Sequence, residues 1–88
     1  MVKPLIGPPG TIFTVIGIGF APGEKVGVYV TAPDGQVDGA PFQIGANGVG
    51  FTDKVSFETE ADIQLGVWAM TFEGVSSGHK AIAYFRIQ

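Results

Sequence analysis

The stretch Gly17-Ile-Gly-Phe-Ala-Pro-Gly-Glu-Lys-Val-Gly-Val-Tyr-Val30 leaves this chain few folds to choose from. Ala21-Pro22-Gly23-Glu24 predicts a type II turn, because proline presets φ at the first corner and glycine accepts a positive φ at the second. The run that follows places Val26, Val28 and Val30 on one side and Tyr29 on the other, the two-residue period of a half-buried strand. No segment carries a helical period of useful length, so extended chain must supply the core.

Similar punctuation recurs along the sequence. Thr11 to Ile18 is rich in β-branched residues and reads as a strand, with Gly17 and Gly19 marking a bulge or a close backbone approach. Phe20 reads as an aromatic plug at one end of the core. Ala32-Pro33-Asp34-Gly35 is a turn. Gln36 to Ile44, interrupted by Gly39 and Pro41, predicts one or two short edge strands. Asn47-Gly48 suits a type I′ hairpin turn, in which both residues take a positive φ. A strand over Val49 to Phe57 follows, broken at Asp53 by a bulge or a sheet margin. Glu58 to Gln64 reads as a crossover loop. Gly66 to Glu73 puts Trp68, Met70 and Phe72 on one face, Gly74 to Gly78 turns, and His79 to Ile87 puts Ala81, Ala83, Phe85 and Ile87 on one side. Six or seven short strands at about ten-residue spacing predict an antiparallel sandwich or a small barrel. Residues 1–10, with Pro4, Pro8 and Pro9, predict a linker or at most a short edge strand near Leu5-Ile6; residues 11–88 form the single domain.

Composition narrows the function classes. Eighty-eight residues suffice for one core, and 45% of them are hydrophobic against 15% charged, a balance that argues against disorder. The net charge is −3, and the five cations Lys3, Lys25, Lys54, Lys80 and Arg86 are dispersed. No cluster could neutralise several phosphates or hold an anionic membrane, so neither nucleic acid nor a membrane surface is an expected partner. The absence of cysteine excludes disulfides and thiolate metal sites and leaves the compartment unread. No apolar run is long enough to span a bilayer, and Met1-Val-Lys-Pro lacks the apolar core of a leader, so an exported parent would carry its leader outside this chain.

Chemical motifs are sparse, and no catalytic, cofactor or metal-binding set is expected. His79, the one histidine, has Ser76 and Ser77 nearby, but a nucleophile–base pair also needs an orienting third group and an oxyanion pocket, and the sequence offers neither. A loop histidine is the simpler reading. Asp34, Asp38, Asp53, Glu58, Glu60 and Asp62 are hard oxygen ligands whose spacing matches no EF-hand; solvated loop carboxylates are the default, and a calcium site at a module junction is the alternative. Gly17-Ile-Gly-Phe-Ala-Pro fails the dinucleotide fingerprint, since a strand follows where a helix must start. Among the aromatics, Trp68 reads as core beside Met70 and Phe72. Tyr29 and Tyr84 each oppose the apolar face of their strand, which makes them the candidate ligand-binding residues, for example for stacking on a sugar.

Gly17–Val30, Pro33-Asp34-Gly35, Gly66–Gly74 and Phe85-Arg86-Ile87 together resemble the bacterial immunoglobulin-like modules found, often in tandem, in large exported or cell-surface proteins. Macroglobulin-type and transcription-factor-like immunoglobulin domains have a similar Phe-x-Pro-Gly corner. The likeness covers most of Thr11–Ile87. It departs from antibody-type domains in lacking a cysteine pair and in placing Trp68 late. The resemblance implies an all-β, immunoglobulin-like antiparallel β-sandwich of about seven short strands, extracellular or at the cell surface, with no shared catalytic residues to carry over. The expected role is a non-catalytic spacer or adhesion module, monomeric, whose partners are neighbouring domains of the same polypeptide and surface protein or polysaccharide. The alternative is a carbohydrate-binding module or an accessory domain of an extracellular enzyme.

Overall fold

A computed structural model describes all 88 residues and contains no helix. Eight strands form two layers. The smaller sheet has the order β1 (Val2–Lys3), β3 (Ile12–Val15), β6 (Val55–Glu58). The larger has the order β2 (Ile6–Gly7), β8 (Lys80–Ile87), β7 (Gly66–Gly74), β4 (Lys25–Thr31), β5 (Val37–Gly45). Every pairing is antiparallel except β2 with β8. This is the expected sandwich, with two of its strands only two residues long.

The core follows the sequence alternation. Val26, Val28 and Val30 of β4 are buried, as are Trp68, Met70 and Phe72 of β7 and Ala83, Phe85 and Ile87 of β8. From the facing layer come Phe13 and Val15, while Ile12 points to solvent. The two layers are joined by rings: Phe13 stacks on Phe85 with centroids 4.5 Å apart, and Phe57 lies 5.4 Å from Trp68 and 5.8 Å from Phe85. Such pairs add to the burial of their area.

Two turns behave as their residues dictate. The Glu24 N–H donates to the Ala21 carbonyl across Pro22-Gly23, with Gly23 at φ 74°, as a type II turn requires. The Gly35 N–H donates to the Ala32 carbonyl, closing the β4–β5 hairpin.

Other segments differ from expectation. Residues 1–10 hold the short edge strand expected near Leu5-Ile6, as β2, together with a further one, β1. They add an edge strand to each sheet, because proline removes only donors: the Leu5 carbonyl accepts from Arg86 N–H and the Gly7 carbonyl from Gln88 N–H. The strand expected over Thr11–Ile18 stops at Val15, where the Gly17 backbone runs against the Phe20 and Phe72 rings and its N–H donates to Thr52 Oγ1 at 2.8 Å. The weak Gln36–Ile44 segment is one nine-residue edge strand, and the irregularity read from Gly39 and Pro41 is a register shift opposite Val28–Val30. The Asn47-Gly48 turn is not type I′, since neither residue has a positive φ. Asn47 Oδ1 accepts instead from the Val49 and Phe51 N–H groups, and Gly50, at φ 81°, takes the left-handed position. That wider turn consumes residues that the sequence assigned to a strand. Val49 and Phe51 are therefore exposed, Ala46 and Thr52 make one isolated bridge, and β6 begins only at Val55.

Replacing Phe85, which is buried against Phe13 and Phe57, leaves a cavity at the junction of the layers. Phe85→Ala is expected to cost about 3–5 kcal/mol by urea denaturation, much of the stability of a domain this size. A cost below about 1 kcal/mol would contradict the packing described.

Candidate functional site

The outer face of the five-stranded sheet carries both candidate tyrosines. Tyr29 on β4 lies opposite Thr71 of β7, and Tyr84 on β8 lies opposite Ala69 of the same strand. The two tyrosines flank β7, offset along it by two residues. They are unequal: Tyr84 is 59% exposed, whereas Tyr29 is half-buried. Ile6, Val67 and Ile82 share this face and are also exposed. Exposed apolar side chains thus stand on the solvent side of a sheet, with Arg86 between Ile6 and Val67 and with Lys80 and Glu73 at one end. The Lys80–Glu73 ion pair there, at 3.5 Å and half exposed, contributes little to stability.

A second surface feature lies where the layers end unequally. A cleft of about 530 Å³ opens between the β4–β5 hairpin and β6. Phe57, Ile63 and Trp68 floor it, and the Trp68 indole N–H is fixed by a 2.9 Å bond to the Gln64 carbonyl. Asp34, Asp38, Glu58 and Glu60 stand around it, and no lysine or arginine lines it. The sequence reading treated these carboxylates as separate loop residues. They share one cleft because the hairpin of one sheet and the edge strand of the other end side by side. No three Asp, Glu or His side chains converge as a metal cage would require.

The third feature is buried. Glu24 follows the Pro-Gly turn, is 6% exposed, and has its carboxylate saturated with donors. Oε2 accepts from the Ala21 N–H at 2.6 Å and from the Ser77 hydroxyl at 2.7 Å; Oε1 accepts from the Ser76 and Ser77 N–H groups, both at 3.0 Å. The Ser77 N–H bond is the main cause holding the Glu24 pKa down at about 2, with the Ser77 hydroxyl, Ala21 and Ser76 adding to it and burial opposing them. Sequence reasoning missed this anchor; its signal was an acid placed directly after Pro-Gly in a chain poor in charge.

The same contacts separate the residues once considered for nucleophilic chemistry. Ser77 Oγ gives its proton to Glu24 and accepts the His79 backbone N–H at 3.1 Å. The His79 ring turns away, with Nε2 3.1 Å from the Ile18 carbonyl and its edge against Phe20. Imidazole and hydroxyl thus serve different neighbours, and both tie loops together.

The chain was compared with known proteins. The family model of the macroglobulin-like domain matches residues 1–87, a span that takes in both edge strands of the N-terminal decapeptide. No curated protein matches the chain.

The Glu24 contacts set a pH dependence with a definite sign. A carboxyl whose folded pKa lies below its ordinary value of 4.5 stabilises the fold above that value and loses the contribution as pH falls towards about 2. The thermal midpoint is expected to drop by several degrees over that interval. Glu24→Gln is expected to have a lower midpoint at pH 7 and a flatter profile below pH 4.5. Superimposable profiles for the two proteins would contradict the assignment.

Proposed function

The chain belongs to the macroglobulin-like domain family, an immunoglobulin-like fold family of generally non-catalytic modules, and from that premise we propose that it serves as a spacer or adhesion module of a larger bacterial cell-surface or secreted protein. The observation that carries this reading is the uncovered outer face of the large sheet. Ile6, Val67, Ile82 and Tyr84 present there a group of exposed apolar side chains, interrupted by Arg86, of the kind a contact surface uses on a small domain. A neighbouring module packed on that face would shield it and fix the angle between domains. The partners are then adjoining domains of the same polypeptide, and the location is outside the cell.

The exposed ring of Tyr84, with Tyr29 on the same face, favours polysaccharide as a second class of occupant. Aromatic rings on a flat sheet offer stacking surface to a sugar. The two readings separate cleanly, since one predicts coverage by protein and the other titration by a soluble glycan.

Melting the module alone and joined to its neighbours in the parent polypeptide tests the spacer role. The joined form is expected to melt several degrees higher, with slower amide exchange at Ile82 and Tyr84. Equal midpoints and equal exchange would overturn it; a soluble polysaccharide that shifts the Tyr84 ring resonances, with Tyr84→Ala abolishing the shift, would establish the second reading in its place.

A further inference from the structure

We propose that the acidic cleft between β5 and β6 accepts an extended peptide strand of basic and apolar character, which adds to the free edge of β6 as a fourth strand of the smaller sheet. This deepens the reading of the chain as an interaction module and rests on it. It concerns a different surface from the outer sheet face.

The layers are unequal, three strands against five, and the deficit falls at one side. β5 extends beyond the last strand of the facing sheet. Phe42, paired with the buried Val28, belongs to the inner face of its sheet, yet it is 44% exposed. Asp38, paired with Val30, faces the same way and lines the cleft. An apolar side chain turned inwards is thus left partly in water.

The edge that such a strand would join is free. β6 pairs with β3 alone. Thr59 N–H donates to the Thr11 carbonyl, so by the alternation of an antiparallel ladder Phe57 and Val55 direct their backbone groups to β3. Ser56 and Glu58 direct theirs outwards, towards the cleft side. Unpaired edge groups of this kind are a template for strand addition. An added strand would turn alternate side chains onto Phe57, Ile63 and Trp68, the apolar floor of the cleft.

Charge defines the occupant. Asp34, Asp38, Glu58 and Glu60 surround the cleft, none has a cationic partner, and the only salt bridge in the molecule is Lys80–Glu73 on another surface. Four unneutralised carboxylates beside an apolar floor favour a segment in which lysine or arginine alternates with aliphatic residues, and they repel an acidic one.

The test uses two blocked hexapeptides, one alternating valine with lysine and the other valine with glutamate, titrated into the full chain and followed by amide and Trp68 indole resonances. The lysine peptide is expected to bind, with the largest shifts at Ser56, Glu58, Ile63 and the Trp68 indole, and to weaken as salt rises. The glutamate peptide is expected not to bind. Ser56→Pro removes one outward donor without touching the β3 pairing and is expected to weaken binding about fivefold or more. Asp38→Asn with Glu58→Gln, which leaves the backbone edge intact, is expected to weaken binding and reduce its salt dependence. No binding, equal binding of both peptides, or shifts confined to the face around Tyr84 would overturn the proposal. Because these titrations leave the outer face untouched, their failure is distinct from failure of the tandem melting experiment.

Discussion

A buried carboxylate is costly unless its oxygens are fully hydrogen-bonded, and Glu24 meets that condition by drawing together reversals that are far apart in sequence. Its side chain accepts from Ala21 in its own turn and from Ser76 and Ser77 in the β7–β8 turn. Its backbone carbonyl accepts from the Ala46 N–H at the end of β5. Nearby bonds reinforce the join: Gly23 N–H to the Asn47 carbonyl, Phe20 N–H to the Gly50 carbonyl, and Val75 N–H to the Lys25 carbonyl. Gly50 has room for no Cβ there, since one would collide with the Phe20 carbonyl. One end of the sandwich is therefore tied by polar contacts and the middle by packed rings.

The opposite end is tied by the buried Thr59, whose hydroxyl accepts from the Gly10 N–H and donates to the Thr11 carbonyl, and there the unequal width of the layers is felt. Contacts at the Glu24 end pin β4, β5, β7 and β8, and the register of β5 on β4 then shifts once, opposite Val28–Val30. The small sheet, with only four residues in β6, stops short of covering β5. The acidic cleft is the direct result. The fold thus has three distinct parts: a locked corner, an outer face with exposed apolar side chains and an open, charged side. Membership of the macroglobulin-like family, whose modules are generally non-catalytic, agrees with a fold that gathers no catalytic set.

The strands that could be read from sequence were those with one face wholly in the core. In β4 and β8 alternation and burial coincide residue by residue, from Val26 to Val30 and Ala83 to Ile87, and in β7 the alternating Trp68, Met70 and Phe72 are buried, with the outer-face Thr71 buried as well. Where a side chain rather than the backbone shapes the turn, the pattern misled. Asn47 holds two N–H groups with its own oxygen, so the alternation of Val49 and Phe51 has no sheet beneath it. Val2–Lys3 pairs with the nearby β3, whereas Ile6–Gly7 presents its acceptors to β8 at the far end of the chain, a pairing that no local pattern encodes. The placement of Tyr29 and Tyr84 on one face needed the strand order, although each residue's outward direction was legible alone. The cleft was illegible altogether. Asp34, Asp38, Glu58 and Glu60 become neighbours only because two sheets of different width end together.

The most direct test of the Glu24 anchor is a carbon-13 NMR titration of its side-chain carboxyl in the folded protein. A midpoint near 2 is expected, with the Ser76 and Ser77 amide protons shifting in the same transition. A midpoint near the ordinary 4.5, or serine amides indifferent to the transition, would show that the corner is held together by something else.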